Sequence, residues 1–175
     1  MQVIELKTQV QLAIIETAQK RAPLEACGII AGLDGVFFSV RELDNTAADP
    51  LNNFQISPRD FLEEKAVYDG FELALWHSHP RSLALPSYPD QVLMMETKLL
   101  MVIVSLAPVK IAVFRWDERD QRPIEVVRYR LEGGAGMKFE DHIRSLKGQW
   151  VTIYTQDAVH DEQGNPLAHI GKVGI

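Results

Sequence analysis

The sequence predicts an α/β domain with a small appended tail, and three observations carry that prediction. Apolar residues recur at strand spacing and at helix spacing in turn along most of the chain. The breaks between those segments carry turn chemistry, at Asp34-Gly35, Ser57-Pro58 and Pro108. The 175 residues suffice for one domain with a real core and a little more.

Residues 2–6 read as a short strand. Thr8-Gln9-Val10-Gln11 has the form of a capping box, and Val10, Ala13, Ile14 and Thr17 follow at helical spacing to about Arg21. Residues 27–32 and 36–43 read as two strands around Asp34-Gly35, a hairpin signal. A loop rich in Asn, Asp, Ala and Pro covers 45–53, and Phe54-Gln55-Ile56 is a short extended piece. Ser57 caps a second helix, with Pro58 at its first position and Asp60 at its third. That helix runs to about Asp69 and Gly70 ends it. A mostly apolar strand over 71–79, a loop over 80–86 and a helix over 87–98 follow. Three strands near 100–105, 109–116 and 123–131 close the domain, turning at Pro108 and within Asp117–Arg122. Gly133-Gly134-Ala135-Gly136 is a linker by composition. Beyond it, 138–146 reads as a short amphipathic helix, and Trp150–Tyr154 and Leu167–Ile175 as strands. The division is therefore 1–132 for the main domain and 133–175 for the linker and appendage. The appendage is marginal as an independent domain and is expected to dock on the main domain or on another copy, or else to be part of a small barrel that continues in a longer chain.

Composition narrows the partners. Apolar residues make up 46% and charged residues 24%, which is ordinary for a globular protein. A net charge of −6 argues against nucleic acid or an anionic membrane as partner. The one cysteine, Cys27, excludes an intramolecular disulfide framework and suits a reducing compartment. It reads as a buried small hydrophobe rather than a nucleophile. The first residues lack the basic start and apolar core of a signal peptide, and the apolar run Leu99–Val104 is too short to span a bilayer. A cytoplasmic protein is expected.

The chemistry is concentrated in His77-Ser78-His79-Pro80 and Ser87-Tyr88-Pro89-Asp90. Alternate side chains of a strand share a face, so His77 and His79 can reach one ion. Ser87 reads as a helix cap, which sends Asp90 from the mouth of the helix back toward the strand end. Two His and one carboxylate with an open fourth position is the pattern of catalytic zinc; a structural site would be closed by four ligands. His142, His160 and His169 lack ligand spacing and read as solvated or structural.

The same residues and spacing resemble the metal signature of the JAMM (MPN-plus) metallopeptidases, and Pro23-Leu24-Glu25-Ala26-Cys27-Gly28 resembles the segment that carries their general base. The likeness covers residues 1 to about 132 and is of the short prokaryotic type. It implies the JAMM/MPN (cytidine-deaminase-like) fold, a mixed curved sheet flanked by helices. It implies one Zn²⁺ per chain on His77, His79 and Asp90, with Glu25 and Ser87 catalytic: Glu25 as base, and Ser87 helping to bind the oxyanion. It further implies hydrolysis of peptide or isopeptide bonds, with a ubiquitin-like or sulfur-carrier protein ending in Gly-Gly as substrate partner. A homo-oligomer is compatible with the sequence. Two other readings stay open: a non-catalytic MPN-type scaffold, and a metallopeptidase acting on phage-tail or cell-wall peptides.

Overall fold

The computed structural model describes residues 4–126 and, as backbone, the strands at 129–131, 150–153 and 169–172. The chain runs β1 (Ile4–Leu6), α1 (Thr8–Arg21), β2 (Cys27–Leu33), β3 (Val36–Leu43), α2 (Pro58–Val67), β4 (Glu72–His79) and α3 (Tyr88–Thr97). It continues with β5 (Leu100–Leu106), β6 (Val109–Asp117), β7 (Arg122–Glu125), β8 (Tyr129–Leu131), β9 (Trp150–Ile153) and β10 (His169–Lys172). The strands join in one mixed sheet, ordered β10-β9-β6-β5-β4-β2-β3-β1-β8, with β7 also paired to β6. The hairpin β2–β3 turns through Asp34 and Gly35, both at positive φ (52° and 80°), as an Asp-Gly turn requires.

The helices divide between the two faces of this sheet. On one face α1 packs Val10, Ile14 and Ala18 against Ile30, Ala74, Trp76, Val102 and Val104. On the other, Met94 of α3 meets Ile29, Leu75, Met101 and Ile103, with Phe54, Ile56 and Phe61 packed around them. The alternation along β4 is what sets the site. Ala74 and Trp76 go to the first face, and Leu75 and then His77 and His79 to the second. Trp76 is fully buried and its Nε1 donates to Arg41 O (3.1 Å), so it is a core residue. Each such fully buried large side chain contributes about 1.5–3 kcal/mol.

Three sequence expectations change. Lys7, not Thr8, occupies the cap of α1; Lys7 N–H is held by Phe37 O (2.9 Å), and Gln11 Nε2 reaches back to Leu6 O (2.8 Å). The second helix stops at Val67, two residues early. The strand expected over 123–131 is two strands. Val126 N–H makes the last bond to Val113 O (2.8 Å), and 129–131 pair in parallel with β1 at the far side of the sheet. In the tail, the strands at 150–153 and 169–172 extend the main sheet beyond β6. The linker over 133–136 and the helix over 138–146 lie outside the described residues, as do His142 and His160. No helix among the described residues is long and apolar enough to cross a membrane.

Candidate metal centre

β4 sits in the middle of the sheet, antiparallel to β2 and parallel to β5. Its C-terminal end therefore carries His77 and His79 into the space between the start of β2 and the start of α3. The two Nε2 atoms lie 3.0 Å apart. Asp90 approaches both, Oδ1 at 3.3 Å from His77 Nε2 and Oδ2 at 3.5 Å from His79 Nε2. Glu25 comes from the chain just before β2, and a carboxylate oxygen of it lies within 4.8 Å of both imidazoles. All four side chains are buried. The structure thus brings together His77, His79, Asp90 and Glu25.

The helix start aims Asp90. Ser87 caps α3 with a full capping box: its N–H and its Oγ–H both donate to Asp90 Oδ2 at 2.7 Å, and Asp90 N–H donates back to Ser87 Oγ at 3.4 Å. Burial pushes the Asp90 carboxyl up, but hydrogen bonds from His77, His79 and Ser87 outweigh it and hold it well below the usual carboxylate range. Glu25 goes the other way. Burial raises it to about 7, against the pull of His79 and with a push from Asp90 and Asp49.

The imidazoles are oriented by different means. His79 Nδ1 lies 2.8 Å from Leu83 O; donating its hydrogen there leaves the Nε2 lone pair facing the centre. His77 is clamped by a ring instead: Phe54 stacks on it at 4.3 Å between centroids and 22° between planes. His77 Nδ1 is buried with no hydrogen-bond partner among the described residues. Burial also pulls His77 below its ordinary pKa. With both rings neutral, the form in which imidazole ligates, and the His79 hydrogen on Nδ1, both Nε2 atoms can turn a lone pair to the centre beside the Asp90 oxygens. Convergent lone pairs of this kind fit a divalent cation with nitrogen and oxygen ligands.

Three residues that build the centre carry no local sequence signal. Ser78, between the two His, points to the other side of β4; its Oγ accepts from Ala26 N–H (2.8 Å) and its N–H donates to Ala26 O (2.9 Å), which pins the residue after Glu25. Asn45 and Phe54 are the others. Cys27 lies opposite His77 in the β2–β4 pairing; it is buried and its thiol is pushed up to about 12, first by burial and then by the Glu25 charge. That is an inert thiol. A cavity of 570 Å³, lined mainly by apolar residues of the 53–58 segment and α3, opens beside Asp90.

Comparison with known proteins agrees with the fold. A solved protein from Desulfitobacterium hafniense is 26% identical, at a TM-score of 0.63, over 79% of this chain and 97% of its own. A JAB1/MPN domain protein from Archaeoglobus fulgidus is 18% identical at a TM-score of 0.51, over 74% of this chain and 100% of its own. A protein from Salinibacter ruber is 16% identical at the same TM-score of 0.51, over 77% of this chain and 96% of its own. No curated protein sequence matches. Residues 7–119, nearly two thirds of the chain and including all four residues of the centre, match the family of prokaryotic homologs of the JAB domain, and the protein belongs to that JAB/MPN family.

Proposed function

We propose that this protein is a zinc metallopeptidase that hydrolyses a peptide or isopeptide bond after the Gly-Gly tail of a ubiquitin-like or sulfur-carrier protein. The observation that carries this reading is the convergence of two imidazoles and two carboxylates of opposite pKa behaviour in one buried cluster. His77, His79 and Asp90 would hold the ion; Asp90 suits that role because it stays ionised and is anchored through one oxygen. When bound, zinc supplies Lewis-acid chemistry, polarising the scissile carbonyl and acidifying water to a pKa of about 7.

The chain's own residues do the rest. Glu25, titrating near neutrality, takes a proton from the attacking water on a carboxylate oxygen and returns it to the leaving amine. Ser87 first holds Asp90. Because its backbone N–H holds Oδ2 independently, its hydroxyl can turn to an oxyanion without releasing the carboxylate. The loop after His79 and the first residue of α3 leave Leu83, Leu85 and Tyr88 exposed beside the centre, a surface suited to an extended tail.

The test is metal content by mass spectrometry beside His77→Ala, then cleavage of a fusion joined through Gly-Gly. One zinc per chain, lost in His77→Ala, with cleavage by the wild type, supports the proposal. Zinc without cleavage of any Gly-Gly fusion would move the protein to another substrate. No zinc after reconstitution would leave the scaffold reading in front.

A further inference from the structure

The Asn45 side chain uses all of its hydrogen-bonding capacity, and its partners are the backbone at two parts of the centre. Nδ2 donates to Glu25 O (2.9 Å) and to Asn53 O (3.0 Å). Oδ1 accepts from Ala47 N–H (3.0 Å) and from Gln55 N–H (3.1 Å). Asn53 O and Gln55 N–H belong to the peptide groups on either side of Phe54. That ring is the one stacked on His77. Glu25 is gripped a second time by the same loop, through its N–H to Pro50 O (2.8 Å). One carboxamide therefore ties the peptide of Glu25 to both peptides that carry the face of His77.

We propose that Asn45 is a positioning residue, fixing Glu25 and the Phe54–His77 pair in one frame so that base and imidazole keep their separation. It touches neither ion nor substrate. The need for such a tie follows from the way the centre is assembled. His79 has Leu83 O and Asp90 has Ser87, whereas His77 has no bond at Nδ1 and depends on Phe54 for its orientation. Phe54 in turn lies in no helix or strand. Without Asn45 its two flanking peptide groups lose their partner, and groups that support a metal site cost about 10–100-fold in affinity or activity when removed.

The kinetic half of this proposal rests on the metallopeptidase reading; the positional half does not. Two variants separate the donor and acceptor halves of the side chain. Asn45→Asp keeps the oxygen for Ala47 and Gln55 but has no hydrogen for Glu25 O or Asn53 O. Asn45→Ala removes all four bonds. Amide exchange on the metal-free protein should speed up at Glu25 in both variants and at Ala47 and Gln55 only in Asn45→Ala, with β5 amides unchanged. Zn²⁺ affinity, read by competition with a chelator, should fall at least tenfold in both. With saturating zinc and a fusion the wild type cleaves, kcat should fall at least tenfold in both while KM stays within twofold. Unchanged zinc affinity and kcat in Asn45→Asp, whatever its thermal stability, would overturn the proposal and make Asn45 a loop fastener only. Should the wild type cleave nothing, the substrate reading fails alone, and exchange and zinc affinity still decide the role of Asn45.

Discussion

Two carboxylates reach the same pair of imidazoles, and their surroundings drive them apart. Asp90 receives two bonds from Ser87, one from its backbone and one from its hydroxyl, and stays charged; Glu25 is raised by burial. That difference supports the two roles proposed for them, ion ligand and base, and it has consequences that can be measured. Glu25→Gln should lower turnover by about 10²–10⁴-fold and leave zinc content unchanged, as cleavage assay and mass spectrometry will read. In the metal-free protein the raised pKa also costs stability. The unfolded chain releases the Glu25 proton near 4.5 and the folded chain only near 7, so the folded state binds more protons between them. The Glu25 contribution to stability must then fall as pH rises through that window. Wild type minus Glu25→Gln, followed by denaturant unfolding of the metal-free proteins, should show that decline; a difference flat with pH would reject the raised value. At this scale the sequence exposed His77, His79 and Asp90 because they are set by local geometry, strand alternation and a helix cap. Glu25 was visible only through resemblance. The roles of Ser78, Asn45 and Phe54 were not visible, because Ser78 meets Ala26 across 52 positions and Asn45 meets Glu25 across 20.

At the scale of elements, the close contact between strands and the capped start of α3 hold the centre in place. Gly28 is where Trp76 crosses β2: an added Cβ would stand 1.9 Å from Arg41 O and 2.7 Å from Trp76 Nε1. Neither a sheet carbonyl nor a fully buried indole can move away cheaply. Gly28→Ala should therefore cost more than about 4 kcal/mol or leave no folded protein. Gly70→Ala is the contrast. Its φ is 82° but nothing lies within 4 Å of the added atom, so only local strain is paid, about 1 kcal/mol by thermal unfolding. Ser87→Ala should cost about 1 kcal/mol through the lost cap and lower turnover with zinc retained, since Ser87 N–H still holds Asp90. Most element positions were legible because period and punctuation agree, as at Asp34-Gly35 and Ser57-Pro58. The break between β7 and β8 was not. Residues 123–131 alternate well enough for one strand, but Arg122–Glu125 pair with β6 and Tyr129–Leu131 with β1, a tertiary division that local alternation does not encode.

For the whole molecule, the question is how far the centre depends on the chain beyond residue 132. The strand that carries His77 and His79 lies between β2 and β5, and β6 covers β5 in turn. The strands at 150–153 and 169–172 join only outside β6, where Val109 pairs with Val151. Two strands therefore separate them from β4, and among the described residues every side chain bonded within the centre falls between Glu25 and Asp90. A chain of residues 1–132 should then take up zinc with the stoichiometry and affinity of the full chain. Its cost should appear elsewhere. The Val109 end of β6 would lose its neighbour and present open backbone groups at a sheet edge, a template for pairing with a second copy. Light scattering should show the shortened chain associating with rising concentration more than the full chain does. Undiminished zinc binding with increased self-association would support a division at 132 in which the tail guards an edge. Loss of zinc from a shortened chain that still unfolds cooperatively would mean that the sheet beyond β6 holds the centre in shape, and the division would have to be abandoned.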